Sequence, residues 1–164
     1  MTVRTLALLR HAKAMSPDDY ADDFERPLSP KGRSDATAAG LWFAAQGVRP
    51  QLVLCSPALR ARQTWEAAAP AIGDILVAYE PRLYLTSPTD ALELVQGTDQ
   101  RVETLLVVGH NPTLSVLSAM LDTDGLTGEG LHTAGIAVHR MTADDWRDFD
   151  ANTAPVTLEH TARG

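Results

Sequence analysis

Apolar residues come in short, nearly unbroken blocks separated by polar, helix-like stretches. Thr2–Leu9 is apolar apart from Arg4 and Thr5, and Leu52–Cys55, Ile75–Tyr79 and Leu105–Val108 are shorter runs of the same kind. Strands covered on both faces read this way, whereas half-exposed strands alternate. The intervening stretches predict helices over 30–46, 57–69, 88–96 and 112–121. Their starts are legible in Ser29-Pro30, Ser56-Pro57, Ser87-Pro88 and Asn111-Pro112. In each pair a side-chain oxygen accepts from orphan N–H groups, and proline at the first helical position forfeits no needed donor. Gly47 and Gly97 stand where helix stops belong. The later segments 134–141, 146–150 and 156–161 carry alternating apolar residues and are expected to finish the sheet. Strand alternating with helix predicts an α/β sandwich with a mainly parallel sheet. The stretch 12–29 lacks periodicity, is rich in charge, and is a candidate lid.

The chain has 164 residues, the size of one domain spanning 1–164. Cys55 is the single cysteine, which excludes an internal disulfide framework and a cysteine-rich zinc site. No apolar run approaches the length of a membrane span or a secretory leader, so a cytoplasmic location with no membrane partner is the expectation. The net charge of -7 argues against a nucleic-acid partner, whose footprint is basic.

Local charge runs the other way. Two strands end alike, in Leu9-Arg10-His11 and Val108-Gly109-His110, and the run Leu52–Cys55 leads through Ser56-Pro57 to Arg60. Parallel α/β sheets bind ligands at the carboxyl ends of their strands. Arg10, His11, Arg60 and His110 are therefore expected at one edge, without an obvious acidic partner for each arginine. Two guanidinium forks and a helix N-terminus suit a small oxyanion such as phosphate. Nearby cations favour the neutral, nucleophilic form of a histidine.

With these residues in place, the sequence resembles the histidine phosphatase superfamily. Arg10-His11-Ala12-Lys13, Arg26-Pro27-Leu28-Ser29-Pro30-Lys31-Gly32, Ser56-Pro57-Ala58-Leu59-Arg60-Ala61-Arg62-Gln63-Thr64 and Gly109-His110-Asn111-Pro112 carry the resemblance. The short chain and the Arg-His-Ala-Lys form resemble its SixA-type phosphohistidine phosphatase branch. The resemblance implies a three-layer α/β/α, phosphoglycerate mutase-like fold. It makes His11 the nucleophile that becomes phosphorylated. Arg10 and Arg60 clamp the phosphate, His110 contacts it from the opposite side, and no metal or organic cofactor is needed. Two departures stand out. Ala12 replaces the glycine frequent after the nucleophile. Leu85 stands where many relatives carry a carboxylic acid, which leaves Glu80 and the loop residues Asp18, Asp19, Asp22 and Asp23 as candidate acids.

Other readings are plainer. His132, His139 and His160 are expected to be structural. Arg62 is expected on the surface. Gln63 and Thr64 either brace Arg60 or serve packing. Cys55 is one residue too close to Arg60 for a cysteine-phosphatase loop, and position 61 is alanine, so a small buried residue is expected. Gly125, Gly128 and Gly130 mark a loop. Three functions remain open: a phosphatase acting on a phosphohistidine-bearing protein, a small-molecule phosphomonoesterase, and a non-catalytic phosphate- or phosphoprotein-binding module.

Overall fold

A computed structural model describes residues 1–124 and 130–164. Gly125 and Gly128 lie outside the described residues. The strands are β1 (Val3–Arg10), β2 (Leu52–Cys55), β3 (Leu76–Tyr79), β4 (Thr104–Gly109), β5 (Gly135–Thr142) and β6 (Val156–Thr161). The helices are α1 (Pro30–Ala45), α2 (Leu59–Ile72), α3 (Pro88–Gln96) and α4 (Thr113–Leu121). The strands form one sheet in the order β3-β2-β4-β1-β5-β6. The pairings among β1 to β4 are parallel, and β5 runs antiparallel to both of its neighbours.

The unbroken apolar runs have the expected cause. In β1, Leu6 and Leu8 face one side and Ala7 and Leu9 the other, and all four are fully buried. Ala7, Leu9, Val53 and Val108 pack under α1 and α2, while Leu6, Leu8, Leu54 and Val107 pack under α3 and α4. The result is a mainly parallel, three-layer α/β/α sandwich. Arg4, one of the two polar interruptions of β1, is buried yet satisfied. Its guanidinium donates to the carbonyls of Ala143, Gln100, Val102 and Asp144 at 2.7–3.0 Å. Four acceptors offset the desolvation that such a charge suffers.

Ser29 and Ser87 cap α1 and α3, accepting from the N–H groups of Gly32 and Asp90. Four expectations need correction. Helix α4 begins at Thr113 with Pro112 at its N-cap position and no side-chain cap, so Asn111 does not cap it. Helix α2 begins at Leu59 with no side-chain cap, because the Ser56 oxygen accepts from the Ala58 N–H, ahead of the helix. It also runs on to Ile72, through Pro70, where burial of Ile72 anchors the last turn. The segment 146–150 is no strand. Trp146–Asp148 is a single 3₁₀ turn closed by a capping box between Asp145 and Asp148. The turn stacks the fully buried Trp146 and Phe149 at 4.8 Å beneath the second helical layer. Their i,i+3 spacing is helical, and the apparent alternation concealed it.

Helices α1 and α2 meet through small residues, with Ala36, Ala39 and Gly40 facing Ala61 and Ala68. A Cβ at Gly40 would fall inside contact distance of the Ala68 carbonyl oxygen. Gly40→Ala is therefore expected to destabilise the fold by about 1–3 kcal/mol, the usual cost of overpacking. Chemical denaturation measures this; an unchanged midpoint would show that the helix pair yields freely.

Candidate active site

The carboxyl ends of β1, β4 and β2 converge, as the sequence predicts. Arg10 pairs with Gly109 and Cys55 with Val108, so the next residue of each chain, His11, His110 and Ser56, arrives at one edge. The His11 N–H bonds the Gly109 carbonyl at 3.0 Å, and the His11 and His110 rings lie 5.2 Å apart. Arg10, His11, Arg60 and His110 all line one cleft of about 620 Å³. The sequence-predicted set is thus brought together whole.

His11 is 8% exposed, and its Nδ1 sits 2.8 Å from the Ala12 carbonyl oxygen. A carbonyl only accepts, so the ring proton is on Nδ1 and the Nε2 lone pair is free. Burial lowers the His11 pKa to about 3. His110, Arg60 and Arg10 push it the same way, against the Ala12 hydrogen bond. Burial likewise lowers His110 to about 4, with help from Arg60 and against Asp23. His110 Nε2 lies 2.7 Å from the Ser56 hydroxyl. That hydroxyl accepts the Ala58 N–H, which fits Ser56 donating its proton to His110 and leaving an N–H on Nδ1.

The arginines differ from expectation in one respect: Arg60 has an acidic partner. The loop between β1 and α1 folds back to the cleft and presents Asp23. Arg60 donates to the Asp23 carbonyl at 2.8 Å and to its carboxylate at 3.0 Å. Tyr84 and Arg26 donate to the same carboxylate at 2.8 and 3.0 Å. Burial works to raise the Asp23 pKa, yet the bonds from Tyr84, Arg26 and Arg60 hold it well below the usual carboxylate range. Arg10 donates to the Leu131 carbonyl at 3.2 Å. Among the described residues, the Nε atoms of Arg10, Arg26 and Arg60 and Nδ1 of His110 are buried with no hydrogen-bond partner. Arg10, Arg26, Arg60 and His110 line the cleft together, a donor set suited to an anion.

Sequence reasoning assigned no role to Arg26, Tyr84, Ser56 or Asn111, all of which contact this site or line it. The Arg26-Pro27-Leu28-Ser29 motif was the available signal for the first. Asn111 receives the Ser115 hydroxyl at 2.7 Å and donates to Leu131 at 2.7 Å, steadying the start of α4. Glu80 caps a 3₁₀ turn and pairs with Arg82. Leu85 lines the cleft mouth with its side chain exposed. His139 is buried between Ser118 and Ala154, and His160 stacks on Trp42, so both are structural. Arg62 is exposed, over the Tyr79 ring. Cys55 is fully buried, and burial pushes its thiol pKa up, away from the reactive thiolate. Among the described residues no group of His, Cys, Asp and Glu side chains is arranged to hold a metal, and no helix is long and apolar enough to cross a membrane.

Comparison with known proteins agrees with this geometry. The family model described as histidine phosphatase superfamily (branch 1) matches residues 6–84. An uncharacterised protein of Mycobacterium tuberculosis is 40% identical over 94% of this chain and 100% of its own. Phosphohistidine phosphatase SixA of Escherichia coli is 30% identical, over 93% of this chain and 94% of its own. A solved chain from Nakamurella multipartitia, assigned as a phosphohistidine phosphatase SixA, superposes with a TM-score of 0.85 at 32% identity. That match covers 99% of this chain and 98% of the other.

Both cleft histidines are expected to stay neutral well below the ordinary histidine pKa of about 6.5. The unfolded chain takes up those protons first, so stability is complete above about pH 6.5 and is lost as pH falls through the folded values. A ¹⁵N titration should show neutral His11 and His110 rings at pH 5, with imidazolium at pH 6 refuting the assignment. A His11→Gln, His110→Gln double variant should lose less thermal stability than the parent between pH 7 and pH 4.

Proposed function

From the premise that the chain belongs to the histidine phosphatase superfamily, SixA-type branch, we propose that it hydrolyses phosphohistidine on a partner protein through a covalent phosphohistidine on His11. That it is a phosphatase follows from the family; the substrate and the residue roles are the proposal. The observation that carries the substrate is the composition of the cleft. Among the described residues its lining includes no carboxyl group. A carboxylate at its border, Asp23, is held ionised by three donors. A general acid needs a proton to give near neutral pH. An alkyl phosphate requires one for its poor leaving oxygen, whereas an imidazole leaving group requires little help.

The chemistry then has two steps. The free Nε2 lone pair of His11 attacks phosphorus, and a new N–P bond forms as the substrate's N–P bond breaks. The departing imidazole keeps that electron pair and takes a proton from solvent. Water then attacks the phosphoryl group on His11, breaks that N–P bond and releases inorganic phosphate, with the proton passing to solvent. Arg10, Arg60 and Arg26 spread positive charge over the transferring oxygens, and the Nδ1–H of His110 donates from the other side. In phosphoryl transfer, positioning and charge stabilisation supply most of the catalysis.

Purified protein assayed on a phosphohistidine-bearing protein and on p-nitrophenyl phosphate tests the reading. Turnover of the first, abolished in His11→Ala, is the expected result. Turnover of the ester alone would move the substrate to small phosphate esters. Undiminished turnover in His11→Ala would remove the nucleophile from its role. Arg60→Ala should lower kcat/KM by about 10²–10³-fold, as loss of one oxyanion donor does elsewhere.

A further inference from the structure

We infer that Thr64 is a positioning residue that holds the His11 imidazole in its nucleophilic tautomer and couples it to the backbone that carries Arg60. The inference rests on the phosphatase reading for its catalytic consequence and on geometry alone for its structural one. Thr64 is fully buried on α2, one turn beyond Arg60. Its hydroxyl donates to the Arg60 carbonyl at 2.7 Å and accepts the Ala12 N–H at 3.0 Å. The first bond is the ordinary back-bond of a helical threonine. Here it has a second effect, because it commits the only hydroxyl proton to Arg60 and turns an oxygen lone pair toward Ala12.

Ala12 is where the chain leaves the sheet. The His11 N–H still bonds Gly109, in the manner of β1, but the Ala12 N–H has turned toward α2. Ala12 is fully buried, so no water serves that donor, and Thr64 is its partner. The other end of the same residue, the Ala12 carbonyl, receives the His11 Nδ1–H. Ala12 is thus held between the helix bearing the anion clamp and the ring bearing the nucleophile. Removing the hydroxyl leaves a buried N–H unsatisfied, which native structures avoid. The residue then shifts to find another partner and carries the carbonyl away from Nδ1. Among the described residues the Ala12 carbonyl is the hydrogen-bond partner of the His11 ring, so on its loss the proton is shared with Nε2, whose lone pair is then lost.

Thr64→Val removes the hydroxyl at nearly constant shape, and Thr64→Ser restores it. Two readouts separate the possibilities. In ¹⁵N spectra of the resting protein, wild type and Thr64→Ser should show His11 as the Nδ1–H tautomer, while Thr64→Val shows a mixture. On a phosphohistidine-bearing protein, Thr64→Val should lower kcat on the order of a hundredfold, the scale of an ångström-level misplacement. Affinity for inorganic phosphate should stay within about threefold, because Arg10, Arg26 and His110 are untouched. Thr64→Ser should recover most of kcat. If the valine variant does not fold, Thr64→Ala gives the same comparison. An unchanged tautomer in the hydroxyl-less variant overturns the inference, and so does a loss of phosphate affinity equal to the loss of kcat. Absence of turnover of the phosphohistidine-bearing protein by wild type would refute the phosphohistidine substrate, and the tautomer spectra would still decide the role of Thr64.

Discussion

The site depends on the register of three parallel strands. β4 lies between β1 and β2, with Arg10 opposite Gly109 and Cys55 opposite Val108. A shift by one residue on β1 would turn His11 to the opposite face of the sheet and exchange the two buried sets, Leu6 and Leu8 for Ala7 and Leu9. The hydrophobic core and the chemistry are therefore fixed by the same pairing. The small-residue contact at Gly40 completes the frame, since it sets how closely α1 approaches α2 at Ala68.

Within that frame the electrostatics follow from burial. Several cations share a small cleft in a chain of net charge -7. Desolvation and mutual repulsion keep both imidazoles neutral, which leaves one ring able to attack and the other able to donate. The arginine charge is anchored by one carboxylate, Asp23, delivered from the loop before α1. Because Asp23 gives its oxygens to Arg60, Arg26 and Tyr84, it organises donors instead of supplying protons. The same residue ties a loop of low periodicity to the cleft wall and accounts for its order.

The partners of His11 show how local bonds convert a fold into reactivity. The imidazole bonds the carbonyl of the next residue, that residue bonds a threonine on the neighbouring helix, and the threonine bonds the carbonyl of Arg60. Each link is short-range, and the two sequence segments meet only because α2 crosses beside the end of β1.

The sequence by itself determined the class of the fold, most element boundaries and the meeting of Arg10, His11, Arg60 and His110 at one edge. The reasons are physical: buried parallel strands need unbroken apolar runs, serine before proline marks a helix start, and Arg-His at a strand end lies at the edge where such sheets bind ligands. Its failures also have a cause. Ser56 reads as a cap, and residues 146–150 read as a strand, because nearest-neighbour patterns carry no information on long-range partners. The hydroxyl of the first lies between the His110 ring and the Ala58 N–H, and the second is a turn whose Trp146 and Phe149 are buried in the core. Only the tertiary structure decided that Asp23 among four loop aspartates meets Arg60, that Arg26 and Tyr84 join the cleft, and that Thr64 serves Ala12. Asp23 lies 37 positions from Arg60 and 61 from Tyr84 in the chain, and Ala12 lies 52 from Thr64. A hydrogen bond over such a separation leaves no periodicity behind; it exists once the packed layers have set the distance.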